Sequence, residues 1–411
     1  MANTFNTLKN APGVIAKAAA KILADELQFS KSIAQAPEDD YNGKNGYSAG
    51  DTIYISKPAR FVPQNTFDIT STMQDITEEK TPLTLDVLST VGVNIDSFEF
   101  ATVFDLKNTI NRIVKPGVLA IAQDVEAQFL VKAKNSVYNS VGTAGAGVFD
   151  PDTILSAREK MNKYLCPKDD NRFFLSDSTA NRSAVGTRKG LFQSSSNIAD
   201  QYKTGMVGTS DGFIWLENEL LATHTRGTQV AGTATVTTTL SGEGVATMNV
   251  TGTSGGTLKK GDVFTIANVF AVHPQTKKVY PFLQQFVVTT DNTASGTAYT
   301  GVTFSPAIYV ASTGLKNVDT FPQGSAAITI VGTASTGYTQ NLAFHREAFR
   351  MVSVPLIMPT AVEVAAQETV EGITVAVIRA FDVLKRRMVT RLDFLGGLAT
   401  VRPEWACRIT S

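Results

Sequence analysis

Two cysteines, three histidines and two tryptophans in 411 residues leave few reactive side chains. Cys166 and Cys407 cannot make a disulfide framework, and they read as small buried apolar groups in a reducing compartment. His224, His273 and His345 lie far apart, and none belongs to a His/Cys/Asp/Glu set spaced for zinc. Charge of one sign is missing too, since 37 basic residues face 37 acidic ones. A protein that works by neutralising phosphates needs clustered Lys and Arg. The densest basic cluster, Lys385-Arg386-Arg387, is only three residues long and reads as a solvated turn between strands. Near-zero net charge leaves little repulsion between copies, so self-association is electrostatically cheap. No run reaches the roughly 18–20 apolar residues of a membrane span. Lys9, Lys17 and Lys21 interrupt any signal-peptide core, so a cytosolic chain with no membrane contact is expected.

The motifs of nucleotide and nucleophile chemistry are also incomplete. No P-loop pattern occurs. Gly145 and Gly147 supply half of a dinucleotide fingerprint, without its third glycine or a preceding apolar strand. Gly208-Thr209-Ser210-Asp211-Gly212 has the spacing of a nucleophile elbow, but that motif needs a helix after it. Here the strand-like FIWLENELL follows, so a Gly/Ser/Asp turn is the reading. A serine hydrolase resting on Ser210 is the reading this displaces. No catalytic residue, cofactor or metal site is expected.

What the chain does have is a compositional break. From about His224 to Ala343 it is rich in Thr and Gly, nearly uncharged, and reads as short strands broken by turns. Six strand candidates stand out: TATVTTTL, VATMNVT, DVFTIANV, LQQFVVTT, AIYVAS and AAITIV. Their even spacing is that of a small closed or sandwich-like β-domain. Residues on either side read as mixed helix and strand, so a β-module inserted into an α+β domain is expected.

Before the insertion, Ala11 to Phe29 has helical spacing, either as an arm lying on something larger or as a helix docked on its own domain. DTIYISKPARFV alternates through Ile53 and Ile55, and TPLTLDVLSTVGVNIDSFEF through Leu83, Leu85 and Val87. Between them lies a polar excursion, together a protruding two-stranded loop of a length that usually carries function. Val118, Ile121, Val125 and Phe129 mark a helix from about Val118 to Asn139, with Gln123 and Lys134 off its apolar stripe. At 1.5 Å per residue it would span on the order of 30 Å. Asp150-Pro151 opens a further helix expected to pass Ile154, Met161 and Leu165 before Pro167 stops it. RFFLS reads as a buried strand, followed by a short polar helix around Ala180 to Val185. After the insertion the chain is largely strand.

This order of elements resembles the major capsid proteins of tailed double-stranded-DNA phages, with the Hong-Kong-97-type fold. Three segments make it most similar to the coat-protein family typified by phage P-twenty-two, which carries an inserted barrel at this point. They are LKKGDVFTIANV (Leu258 to Val269), the return AFHREAFRMVSVPL (Ala343 to Leu356), and LGGLATVRPEW with its Arg402-Pro403-Glu404 triplet. The resemblance implies an N-terminal arm (1–38), an extended loop with flanking strands (39–100), a spine helix in a peripheral domain (101–147) and an axial domain (148–223). The barrel (224–343) and returning strands (344–411) complete it. It implies an icosahedral shell, built in the host cytoplasm from hexamers and pentamers of this chain. Partners would be a scaffolding protein, a portal ring and packaged double-stranded DNA held by non-specific proximity. Lys57, Arg60, Glu78 and Glu79 would be intersubunit ion-pairing residues of the extended loop. A carbohydrate-binding or adhesin-like β-protein is the alternative of another class, and an encapsulin-like compartment shares the fold.

Overall fold

In the computed structural model, the described residues are 27–35, 50–57, 80–96, 115–145, 151–188, 208–311, 314–359, 364–370, 373–383 and 387–410. Ala19, Lys21, Phe61, Phe67, Thr70 and Met73 are described singly. Most of the expected N-terminal helix, the segment 191–205, expected from its sequence as a loop, and residues 385–386 of the basic cluster lie outside them. The chain divides into two compact units.

The first unit takes residues 1–55, 81–129 and 350–399. Its sheet runs Ala34–Gln35, Phe349–Ser353, Arg387–Thr400, Ile373–Asp382, Val364–Val370, and Val87–Asp96 pairs with Arg387–Thr400 as well. That pairing is antiparallel from Val87 opposite Gly396 to Asp96 opposite Arg387. A short helix α1 (Gln28–Ser32) buries Phe29, and the Glu126 carboxylate accepts the Phe29 N–H and the Ser30 hydroxyl. A carboxylate on the open N–H groups of a helix start satisfies donors the helix leaves unpaired. The described end of the N-terminal segment is thus docked on its own chain.

Glu126 sits on α2 (Lys115–Ser136), close to the span expected from the stripe. Val118, Ile121, Val125 and Phe129 are all buried and Gln123 is exposed. Lys134 departs from the expectation, because it is buried. The part of α2 from Leu130 onward belongs to the second unit, where that lysine meets polar groups.

The second unit, residues 56–80, 130–349 and 400–411, holds a seven-stranded sheet and a closed barrel. The sheet is ordered Ser140–Val141, Ala406–Thr410, Gly337–His345, Arg172–Ser176, Phe213–Glu217, Thr209–Ser210, and its seventh strand, Thr223–Thr225, pairs with Gly337–His345. Helix α3 (Pro151–Lys163) lays Ile154, Ala157 and Met161 on it, and α4 (Ser178–Arg188) follows the strand Arg172–Ser176. The third helix ends earlier than expected. Leu165 takes a left-handed φ of 58° and is exposed, so it leaves the apolar stripe. The Arg172 guanidinium donates to the Asn162 side chain and to the carbonyls of Cys166 and Pro167, tying down the chain just past the helix. Burial pushes the thiols of Cys166 and Cys407 up to about 12 and about 11, so both are inert packing groups.

The elbow-like segment is a hairpin. Thr209–Ser210 pairs with the following strand, and Asp211 and Gly212 sit at φ 55° and 79°. Two successive positive φ values make the tight turn for which Asp-Gly is favoured. His345 is a buried sheet residue, held by Asp169 at 3.0 Å and by the Glu347 N–H.

The barrel closes in the order Ala234–Val236, Val245–Thr251, Ala298–Ile308, Val279–Val288, Val263–Val272, Ala327–Ile330. Six strands were expected and six form it, but the fifth is misplaced in the sequence reading. AIYVAS overlaps only the end of the strand Ala298–Ile308. That strand begins in AYTGVTFSP, where Thr, Gly and Pro read as turn chemistry, yet Tyr299, Val302 and Phe304 point into the core at near-alternate positions. The interior stacks Phe264, Phe286 and Phe304 with ring centroids 5.4–6.2 Å apart. Burying each such ring contributes roughly 1.5–3 kcal/mol. The chain enters through Thr223–Thr225 and returns through Gly337–His345, and these strands pair antiparallel at Gly337 to Thr339.

Candidate assembly surfaces and the barrel seam

Alternation in the barrel strands sends one face inward and the other outward. Phe264 and Ile266 face in, as do Phe286 and Val288. Val263 and Val287 face out, and both are nonetheless buried, because Tyr138 and Tyr164 of the body pack on them. Polar contacts frame this patch. The Gln285 amide bonds both the N–H and the carbonyl of Ser140, at 2.8 and 3.0 Å. Tyr164 donates to Gln284 at 3.0 Å, and Tyr280 to the Lys163 carbonyl at 2.8 Å. Lys163 lies 4.9 Å above the Phe282 ring.

The deepest part of the seam is the turn Lys259-Lys260-Gly261-Asp262. Gly261 has φ +98°, and a methyl there would come within 2.6 Å of the Asn135 side chain, so the turn needs glycine twice over. The Asp262 carboxylate accepts the Lys259 N–H at 2.8 Å and the Gly227 N–H at 3.2 Å. It also accepts His224 Nε2–H at 2.8 Å. With Nε2 protonated, His224 Nδ1 is the acceptor for Lys134 Nζ at 3.1 Å. Arg408, fully buried, donates to the Gly261 carbonyl at 2.9 Å.

Burial, with Lys134 and Arg408 adding to it, lowers the pKa of His224 despite Asp262. Burial and the nearby Arg408 take Lys134 down to about 8, and burial takes Arg408 down to about 10. All three shifts have one physical origin, cations held out of water with one carboxylate among them. The seam therefore fixes the barrel through a neutral imidazole bridging a cation and an anion.

The second surface is the excursion between Thr52–Ser56 and Lys80–Thr84, two strands that pair with each other. Ile53 and Ile55 are buried, as is Leu83. Tyr54, between the two isoleucines, is 60% exposed, and farther along Phe61, Phe67 and Met73 are 52%, 112% and 74% exposed. Gln275 of the barrel donates to the Phe61 carbonyl at 3.1 Å. Lys57 is half-buried and lines a cleft of about 240 Å3 with Tyr138, Tyr164 and Glu404. Arg60, Glu78 and Glu79 lie outside the described residues. The sequence reading missed both the exposed apolar side chains and the whole seam.

The family model described as P22 coat protein, gene protein 5, matches residues 30–408. This chain belongs to that family. It is a major capsid protein, one of many copies that form the icosahedral shell of a tailed phage. The inserted barrel and the mixed helix and sheet content fit the family's Hong-Kong-97-type fold. Among solved structures, the chain is similar to one of Mycobacterium phage Che8, with 13% identity, 93% of this chain and 90% of that chain covered, and a TM-score of 0.44. It is similar to the capsid of the cyanophage P-SCSP1u at 12% identity, with 92% and 88% covered and a TM-score of 0.42. The CUS-3 coat protein I-domain is 34% identical over 24% of this chain and 95% of its own, at a TM-score of 0.19. A search of curated protein sequences gave no match.

Within the capsid family, the three resembling segments acquire physical roles. LKKGD is the turn that plugs the seam. AFHREAFRMVSVPL is the end of the strand Gly337–His345, a single 3-10 turn and the whole of the strand Phe349–Ser353. Arg402 stacks 4.4 Å above the Trp405 ring, whose indole N–H donates to the Tyr164 carbonyl. The Arg-Pro-Glu triplet thus braces the residue that braces the barrel.

Proposed function

We propose that subunits join through the excursion between Thr52–Ser56 and Lys80–Thr84, which lies over the adjacent copy in each capsomer. The carrying observation is the exposure of Tyr54, Phe61, Phe67 and Met73 along one short stretch of chain. Large apolar side chains left outside a core mark a surface that a partner covers. Lys57, Arg60, Glu78 and Glu79 form ion pairs around that contact; each contributes little alone and gains weight by repetition through the shell. Residues 1–38 act as the arm, 101–147 with the C-terminal strands as the peripheral domain, 148–223 as the axial domain and 224–343 as the barrel.

Assembly takes place in the host cytoplasm with a scaffolding protein and a portal ring, and the shell encloses double-stranded DNA. Equal numbers of basic and acidic residues support a genome driven in after assembly, because a shell that condenses its nucleic acid needs a basic arm. The chain carries no catalytic activity of its own. Replacing Phe67→Ser together with Met73→Ser tests the contact: monomers with unchanged circular dichroism should fail to form shells under negative stain. Intact shells from that variant would refute the assignment.

A further inference from the structure

Beside the seam opens a cleft of about 430 Å3 whose chemistry the shell-forming role does not use. Lys134, Arg226, Lys259 and Lys260 line it, against a single lining carboxylate, Asp291. That carboxylate is already engaged by the Lys260 N–H at 2.7 Å and by Lys259 Nζ at 3.1 Å. Asp262 beneath the cleft is engaged by His224 and by the N–H groups of Gly227 and Lys259. Four cations, Lys134 and Arg226 buried and Lys259 and Lys260 on the exposed rim, therefore face two carboxylates whose oxygens are largely committed.

An unmatched donor points the same way. Arg226 is 3% exposed, and its Nε has no hydrogen-bonding partner among the described residues. Buried donors left unmade cost free energy that an acceptor would recover. Burial first, and the neighbouring Arg408 second, take the Lys134 pKa down to about 8 against the pull of Asp262, so an anion beside it would be favoured.

We propose that this cleft binds a tetrahedral oxyanion of the phosphate class. A planar carboxylate has no open fork to sit in, because one hydrogen from each Nη of Arg226 already goes to the Gly332 and Gln229 carbonyls, leaving Nε as its one nitrogen with no partner. What remains is a set of ammonium point charges, with the paired hydroxyls of Thr228 and Thr257 beside them. Such a set suits an anion that accepts from several directions. An anion there would neutralise the surplus positive charge at the barrel's attachment, so its occupancy would strengthen that attachment.

The test uses inorganic phosphate and the full-length monomer, by equilibrium dialysis with labelled phosphate at fixed ionic strength in chloride. One saturable site per chain is expected, with a rise in the thermal midpoint that chloride alone does not give. Lys260→Ala, which removes an exposed rim charge, should weaken binding about tenfold, the worth of one charged hydrogen bond. Lys134→Met should weaken it further, and Lys260→Ala keeps the test valid if that variant misfolds. A short DNA duplex that displaces phosphate would identify backbone phosphate as the source of the anion; failure to displace it would identify free phosphate. Absence of saturable binding, or binding unchanged in a folded Lys260→Ala variant, overturns the proposal.

Discussion

The barrel and the 52–84 excursion are both strand-built, and they treat apolar side chains in opposite ways. In the barrel six strands close on themselves, so no edge is left over. Phe264, Phe286, Tyr299 and Phe304 vanish into its interior. Two strands alone cannot enclose anything, and the excursion leaves Phe61, Phe67 and Met73 outside. One region is complete within a single chain; the other, on the proposed reading, is completed by a neighbouring copy.

That contrast can be broken most strongly at the barrel core. Phe286→Ala should destabilise the monomer by about 3–5 kcal/mol in urea unfolding, through lost transfer energy plus the cavity left behind. Asp262→Ala should cost about 3 kcal/mol, because it strips the one carboxylate from His224, Lys134 and Arg408 and leaves buried cations unpaired. Acid comes next. His224 is held neutral with its pKa below the ordinary 6.5, so the unfolded chain takes up a proton at higher pH than the folded one. Stability from this group is complete above about pH 6.5 and is lost as pH falls toward the lowered folded value. Lys134, Asp262 and Arg408 surround the ring, so a proton on it faces two cations and one anion. A His224→Gln variant should flatten the unfolding free energy between pH 6.5 and 5 relative to wild type. The smallest effect belongs to the excursion, where Met73→Ser should change monomer stability by no more than about 0.5 kcal/mol. A large monomer effect there would erase the comparison.

Much of the fold was legible in sequence because periodicity reports burial directly. The stripe Val118 to Phe129 and the alternation at Ile53 and Ile55 gave elements close to those observed. The fifth barrel strand escaped because its outward positions hold Thr, Gly and Ser, which imitate a turn when one face meets solvent. Lys134 was misread for a complementary reason. Its position on the helix departs from the apolar stripe, and only the chain that returns 90 residues later with His224 buries it. Asp262 and Arg408 reach the same point from still farther along, so no local pattern could have gathered the four. LKKGD was noticed as a resembling segment, yet its glycine was legible only as a turn, not as the place where the barrel's turn meets the body. The extended loop's apolar residues were hidden by their sparseness, one every several residues in a polar stretch.

The chain enters and leaves the barrel through Thr223–Thr225 and Gly337–His345, neighbours in one antiparallel pair. To the host sheet, an insertion as long as this one occupies no more room than a hairpin bend. The gap between its two ends is a single strand spacing, about 4.8 Å. That neck makes the barrel an exchangeable cartridge: lengthening it, trimming it or grafting another compact fold in its place leaves the strands beneath in register, with the penalty confined to what the seam itself supplied.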